Sequence, residues 1–173
     1  MKPLRLPFAL AIAGAAASCA PAERSDSSAC AEFEALRHDE RLPAVSKVGD
    51  LEVSSLPANP IRIYDPANDG IKGAKGAMMS DTLIFETAGI GFTWVTMEWM
   101  SFHPAPTTLT ITNLEGKVLL RRQLSGRVQM KPLSFATKAN GAASLIVGNT
   151  GRESIITRVC FTRHRAGTNV GAT

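Results

Sequence analysis

The sequence predicts an all-β protein, a single antiparallel β-sandwich or jelly roll stapled between its N- and C-terminal ends by one disulfide. Three observations lead there. Between Cys30 and Cys160 the chain is a succession of short runs rich in β-branched and aromatic residues, broken by Gly, Pro, Asn and Asp, which is the pattern of strands joined by turns. Several runs alternate. In "TTLTITN", Leu109 and Ile111 take one face and Thr108, Thr110 and Thr112 the other, as a half-buried antiparallel strand does. Finally, one cysteine stands at each end of this region.

Taken in order, the chain opens with Lys2 and Arg5 and then runs without a charge from Leu6 to Ala17. As a helix that run is about 18 Å long, against roughly 30 Å for a bilayer core. It therefore reads as a secretory signal over residues 1–18 rather than a membrane span. Two cleavages compete. "AAA", Ala15 to Ala17, suits ordinary signal peptidase cutting before Ser18, which would give a periplasmic or secreted protein. The stretch "AASC", Ala16 to Cys19, resembles the lipobox of bacterial lipoproteins, with Ala16 where that family usually has Leu. That resemblance implies a lipid on Cys19, an anchor in the membrane and, with Ala20 rather than Asp after the cysteine, sorting to the outer membrane. Residues 19–29 are polar and charged, too poor in apolar bulk to repay their ordering entropy, and read as a flexible tether.

Cysteine parity agrees with the anchor. Three cysteines leave one over, and lipidation of Cys19 would remove it. Cys30 and Cys160, in an exported chain with no CxxC and no paired histidine, are expected to form one disulfide closing nearly the whole domain. Removing residues 1–18 takes two basic residues and no acid, lowering the formal charge from +4 to +2. No Lys/Arg stripe stands out, so no nucleic-acid partner is expected. Arg121-Arg122 and the tail from Arg163 read as solvated basic groups, with loose attraction to an acidic envelope surface as their other use.

Within residues 30–165 the expected strands include "PIRIYD", "DTLIFET", "FTWVTMEWM", "TTLTITN", "KVLLRRQ", "AASLIVGN" and "SIITRVCFTR". "FTWVTMEWM", apolar on both faces apart from Glu98 and the threonines, is expected to be a central strand. "NLEGK" and "GNTGRES" each read as a hairpin turn, only "AEFEALRHDE" reads as helical, and residues 166–173 read as a disordered tail. "CAEFE" from Cys30, the Gly-rich middle, "LTITNLEGKVLL" and the closing "IITRVCF" together resemble bacterial exported jelly-roll domains of the galactose-binding-like type. That resemblance implies a glycan-binding or contact-making domain.

Chemistry is harder to find. GxSxG, HExxH, Walker and GxGxxG patterns are absent from the sequence, and His38, His103 and His164 are scattered. No catalytic residue is assigned, and the leading expectation is a non-enzymatic binding or structural protein with an envelope glycan or protein as partner. A carbohydrate-binding module, with or without calcium, is the alternative, and a hydrolase with a dispersed site is the second. Rings that stack on sugars point to Tyr64, Phe92, Trp94, Trp99 and Phe102 as a candidate platform, with Tyr64, Trp94 and Trp99 as the ligand-binding candidates, although the odd spacing of the two tryptophans sends them to opposite faces of a regular strand. The segment from Tyr64 to Asp81 reads as a long structureless loop. Its Asp65, Asn68, Asp69 and Asp81 supply oxygens that would suit Ca²⁺, or that simply serve turns, with Lys72 and Lys75 opposing a cation. Glu98 is singled out as an acid on the central strand, either buried or paired with an arginine on an exposed face.

Overall fold

Alternation along the chain sorts thirteen strands, counted among the described residues, into two layers. The computed structural model describes residues 27–79, 82–102, 104–124, 129–149 and 154–163. The signal, Cys19, most of the tether, Asp81, His103, His164 and the 166–173 tail lie outside the described residues. The strands are β1 (Ser27–Glu32), β2 (Arg41–Leu42), β3 (Val45–Val48), β4 (Leu51–Leu56), β5 (Ile61–Tyr64), β6 (Gly76–Met79), β7 (Thr82–Glu86), β8 (Phe92–Ser101), β9 (Thr107–Thr112), β10 (Val118–Leu124), β11 (Gln129–Ala142), β12 (Ser144–Asn149) and β13 (Ser154–Arg163). One sheet has the order β11-β8-β13-β6-β5-β2, with β1 also paired to β13, and the other has the order β10-β9-β12-β7-β4-β3. All pairs are antiparallel.

Only the connections β3–β4, β5–β6 and β9–β10 join neighbours within a sheet, and most others cross between layers, the winding of a jelly roll. The core is what the inward faces share. Leu51 and Val53 of β4, Leu83 and Phe85 of β7, Leu109 and Ile111 of β9, and Leu145 and Val147 of β12 meet Val95, Met97 and Trp99 of β8 and Val159 and Phe161 of β13. Phe33 packs edge-on to Phe85 with centroids 6.5 Å apart, and each such ring fully buried is worth about 1.5–3 kcal/mol.

β8 lies between β11 and β13, the central position its composition predicts. The β9–β10 hairpin around "NLEGK" forms as expected. "GNTGRES" does not make a second hairpin. β12 belongs to one sheet and β13 to the other, so this link crosses the sandwich. "AEFEALRHDE" is not helical. Its start completes β1, and the rest runs through turns because Phe33 is drawn into the core and Leu36 packs against it. β1 also takes in Ser27–Ala29, assigned above to the tether, since all six of its residues find ladder partners on β13.

The disulfide forms between β1 and β13. Cys30 stands directly opposite Cys160, with Cα atoms 4.2 Å apart, close to the spacing of a non-hydrogen-bonded pair. The Cys30 carbonyl accordingly points away from β13 and accepts the Asp50 N–H at 2.9 Å. This contact dictates the residue at the β3–β4 turn. Gly49 has φ +59, and a Cβ there would sit 2.2 Å from the Cys30 carbonyl oxygen, so glycine alone fits.

Candidate functional site

The described part of the segment from Tyr64 to Asp81, residues 64–79, is not structureless. Asp65 caps a 3-10 turn over Pro66–Asp69, accepting the Ala67 N–H at 3.0 Å, and Gly70 closes it in the left-handed region. Beyond the turn the chain returns as β6 beside β5. The stretch between lies on the outer face of the seven-stranded sheet. It covers Met100, which is fully buried although it stands outside the main core. A Cβ on Gly73 would be 2.4 Å from the Met100 sulfur and 3.1 Å from Pro66 Cγ, so the loop is pressed flat on that face. The Lys75 ammonium donates to the Leu36 carbonyl at 2.9 Å and ties the loop to the N-terminal segment.

This placement assembles a row of rings. β5 turns Ile61 and Ile63 inward and Arg62 and Tyr64 outward. His38 and Phe102 each lie beside Tyr64, His38 with centroids 5.7 Å apart and Phe102, just past the end of β8, at 6.1 Å and 71°. Tyr64 and Phe102 are half-buried and His38 is exposed. Asp39 reaches its place through a left-handed backbone, φ 60, held by its N–H to the Ile63 carbonyl at 2.9 Å.

Each ring and each charge has a fixed partner. The Tyr64 hydroxyl donates to an Asp69 carboxylate oxygen. That bond, together with desolvation and the carboxylate's charge, pushes the phenol up to about 12. The Asp65 N–H donates to His38 Nδ1 at 3.0 Å, which leaves the neutral ring's proton on Nε2, 3.4 Å from Asp39 Oδ2. Arg62 Nε donates to Asp39 Oδ1 at 2.6 Å, and that hydrogen bond holds the Asp39 carboxyl below its usual value. The result is an aromatic strip bordered by two oriented carboxylates, a guanidinium and an imidazole N–H. Such a surface can stack the apolar face of a ring while polar groups fix hydroxyls at its rim.

The residues singled out in the sequence fare differently. Tyr64 is the middle of the row. Asp65 and Asp69 are next to it, where Asp65 accepts the Ala67 N–H within the turn and Asp69 accepts the Tyr64 hydroxyl, and Asn68 is exposed in the turn, its N–H on the Asp65 carbonyl at 3.2 Å. Among the described residues the group of metal-capable atoms lying together is Cys30, Glu32 and Cys160. There the sulfurs are joined to each other and Glu32 is paired with Arg158 at 2.9 Å. Trp99 is 7 % exposed and belongs to the core, which removes it from the binding set. Trp94, five residues earlier, takes the opposite face and is half-buried across from Thr162 and Lys138, at the other end of β8 from the row. Glu98 is half-buried on the same outer face, across from Arg158 in register.

Phe102 was among the candidate aromatics, but His38, Asp39 and Arg62 were not legible as its companions. "RIY" does place Arg62 and Tyr64 on one face of a strand, but nothing local brings positions 38 and 102 to them. A groove of about 770 Å³ lies elsewhere, near Cys30, with Leu36, Leu42 and Val48 among its apolar walls and Glu34 and Asp50 among its charges.

No protein-family model matches the chain, and no curated protein matches it. Among solved structures it is similar to the module TmCBM61 in complex with β-1,4-galactotriose, at 13% identity and TM-score 0.43, covering 66% of this chain and 88% of that one. It is also similar to a mutant of CBM29-2, of the family 29 carbohydrate-binding modules, complexed with mannohexaose, at 7% identity and TM-score 0.44, covering 86% and 99%. A third is an exo-β-1,3-galactanase from Phanerochaete chrysosporium with galactose, at 14% identity and TM-score 0.40, where the match spans 79% of this chain but 29% of that one. Likenesses this distant carry no inference about the ligand.

Proposed function

We propose that this chain is a non-catalytic glycan-binding module that holds its ligand on the row His38–Tyr64–Phe102. The observation that carries the reading is the fixed surroundings of those rings. Tyr64 is held by Asp69, His38 by Asp65, and Asp39 by Arg62. Pre-set polar groups beside a partly exposed ring row lower the ordering cost of binding a flexible oligosaccharide. The carboxylates serve as hydrogen-bond partners for their neighbours, which favours holding a ligand over transforming it. Export and a lipid on Cys19, read from the sequence, belong to the same proposal, as they would hold the module at a surface rich in glycans.

The test is a glycan array probed with the full chain, Tyr64→Ala, Phe102→Ala and Trp94→Ala. Binding should be lost in the first two and kept in the third. Binding that survives Tyr64→Ala and fails in Trp94→Ala would move the site to the other end of β8. Absence of binding to any glycan would overturn the reading. Intact mass of membrane-derived protein tests the anchor, which predicts a lipid adduct on a chain beginning at Cys19.

A further inference from the structure

The β9–β10 hairpin gathers three exposed apolar side chains beside basic ones, whereas Val45, Leu56 and Ile90, the other exposed large apolar residues among those described, are spread over three segments. Leu114 is 53% exposed, Val118 54% and Leu119 36%. Two features put them outside. Asn113 closes the turn on itself, with its side-chain oxygen accepting the Lys117 N–H at 2.8 Å and its carbonyl accepting the Gly116 N–H at 3.0 Å. The ladder then slips between Val118 and Leu120. Leu119 is the extra residue, so Val118 and Leu119 stay outside while Leu120 turns in opposite Ile111. Lys117, Arg121 and Arg122 stand in the same hairpin against one acid, Glu115. Arg122 lies over the Phe135 ring of β11, 5.8 Å from its centroid, and Arg121 is exposed.

Charge is divided across the molecule. β10 is one edge of the six-stranded sheet and β3 is the other. At the β3 side Glu52 and Glu86 stand opposite each other on neighbouring strands and line a cleft with Asp50, three acids against the one base there, Lys47, which stands across from Glu52. Asp50 in turn shares the adjoining groove with Glu32 and Glu34. An anionic surface would thus attract the β10 edge and repel the β3 edge, which gives the domain one orientation on it.

The geometry points to the β9–β10 hairpin as a docking surface for an anionic lipid bilayer. Leu114, Val118 and Leu119 enter the headgroup layer, and Lys117 and Arg121 meet its phosphates, while Arg122 stands on Phe135. A second copy adding its own β10 to this edge would bring the arginine pairs of two chains together, and like charges facing each other across strands are destabilising. Docking through this edge leaves the ring row, on the outer face of the other sheet, clear. It requires neither the glycan reading nor the lipid on Cys19.

Hydrogen–deuterium exchange of the full chain with vesicles reads the hairpin locally, so attachment elsewhere does not confound it. Phosphatidylcholine vesicles containing phosphatidylglycerol should protect residues 113–122, while phosphatidylcholine alone should not. Leu114→Ser with Leu119→Ser should abolish the protection. Lys117→Gln and Arg121→Gln should each weaken apparent binding roughly fivefold, with urea midpoints showing that all variants are folded. No local protection, equal protection by uncharged vesicles, or protection that grows with protein concentration in the absence of lipid would overturn the proposal, the last in favour of β10 pairing with itself.

Discussion

The Cys30–Cys160 bond is where the structure yields its largest single stability expectation. The two cysteines are 130 residues apart in sequence, so the bond closes almost the entire domain. Cross-linking a loop of that length removes about 5 kcal/mol of conformational freedom from the unfolded chain, by the chain-entropy relation. The folded side has little to lose when the bond is absent, because β1 keeps its six-residue pairing with β13 and the Glu32–Arg158 ion pair. The perturbation is Cys30→Ala with Cys160→Ala, alongside the unmodified chain with the bond intact and after reduction. The assay is thermal and urea unfolding followed by tryptophan fluorescence. For a domain of this size a loss of that order lowers Tm by about 15 °C. Because the effect resides in the unfolded state, the variant should also show a steeper urea dependence as its unfolded chain expands. A Tm within about 3 °C of the parent, with unchanged urea dependence, would refute the reasoning. It would mean that the unfolded chain is held compact by something other than this bond.

Other expectations follow from single contacts. The chain has one tyrosine, so its ultraviolet titration reports Tyr64 alone. The folded phenol is pushed up to about 12 from 10.0, so its hydrogen bond to Asp69 contributes below pH 10 and is lost as the pH rises toward 12. Asp69→Asn should bring the titration back toward 10, and an unchanged curve would contradict the bond. Gly49→Ala forces a left-handed alanine onto the Cys30 carbonyl and should cost about 2 kcal/mol or more in urea unfolding. Chelation by EDTA should leave Tm within about 1 °C, because Asp65 and Asp69 already have protein donors; a larger fall would restore calcium to the loop.

The layers of this fold were legible wherever one strand decides its own two faces. "TTLTITN" gave its inward and outward residues directly, "FTWVTMEWM" announced a strand covered on both sides, and the odd spacing of Trp94 and Trp99 separated a half-buried ring from a core ring. What a connection does between strands was less legible. "NLEGK" and "GNTGRES" have the same turn chemistry, yet one joins neighbours and the other crosses the sandwich, because β12 is already flanked by β9 and β7 while β13 takes the place between β8 and β6 in the other sheet. The 3-10 turn left a readable trace in Asp65 before Pro66 with Gly70 after, a cap, a pre-set first residue and a left-handed stop. The ring row left a partial one, since Tyr64 and Phe102 stood among the candidate aromatics, but His38, Tyr64 and Phe102 meet only after three separate segments are placed by the sheet.

The most direct test of the central claim is saturation-transfer NMR on the full chain with a soluble oligosaccharide chosen from the array. Irradiating protein aromatic protons should transfer saturation to the carbon-bound protons of one sugar face, and Tyr64→Ala should abolish the transfer while the fold, checked by amide spectra, persists. Transfer that is unaffected by Tyr64→Ala, or absent from the unmodified chain with every glycan tried, would contradict a glycan site on this row.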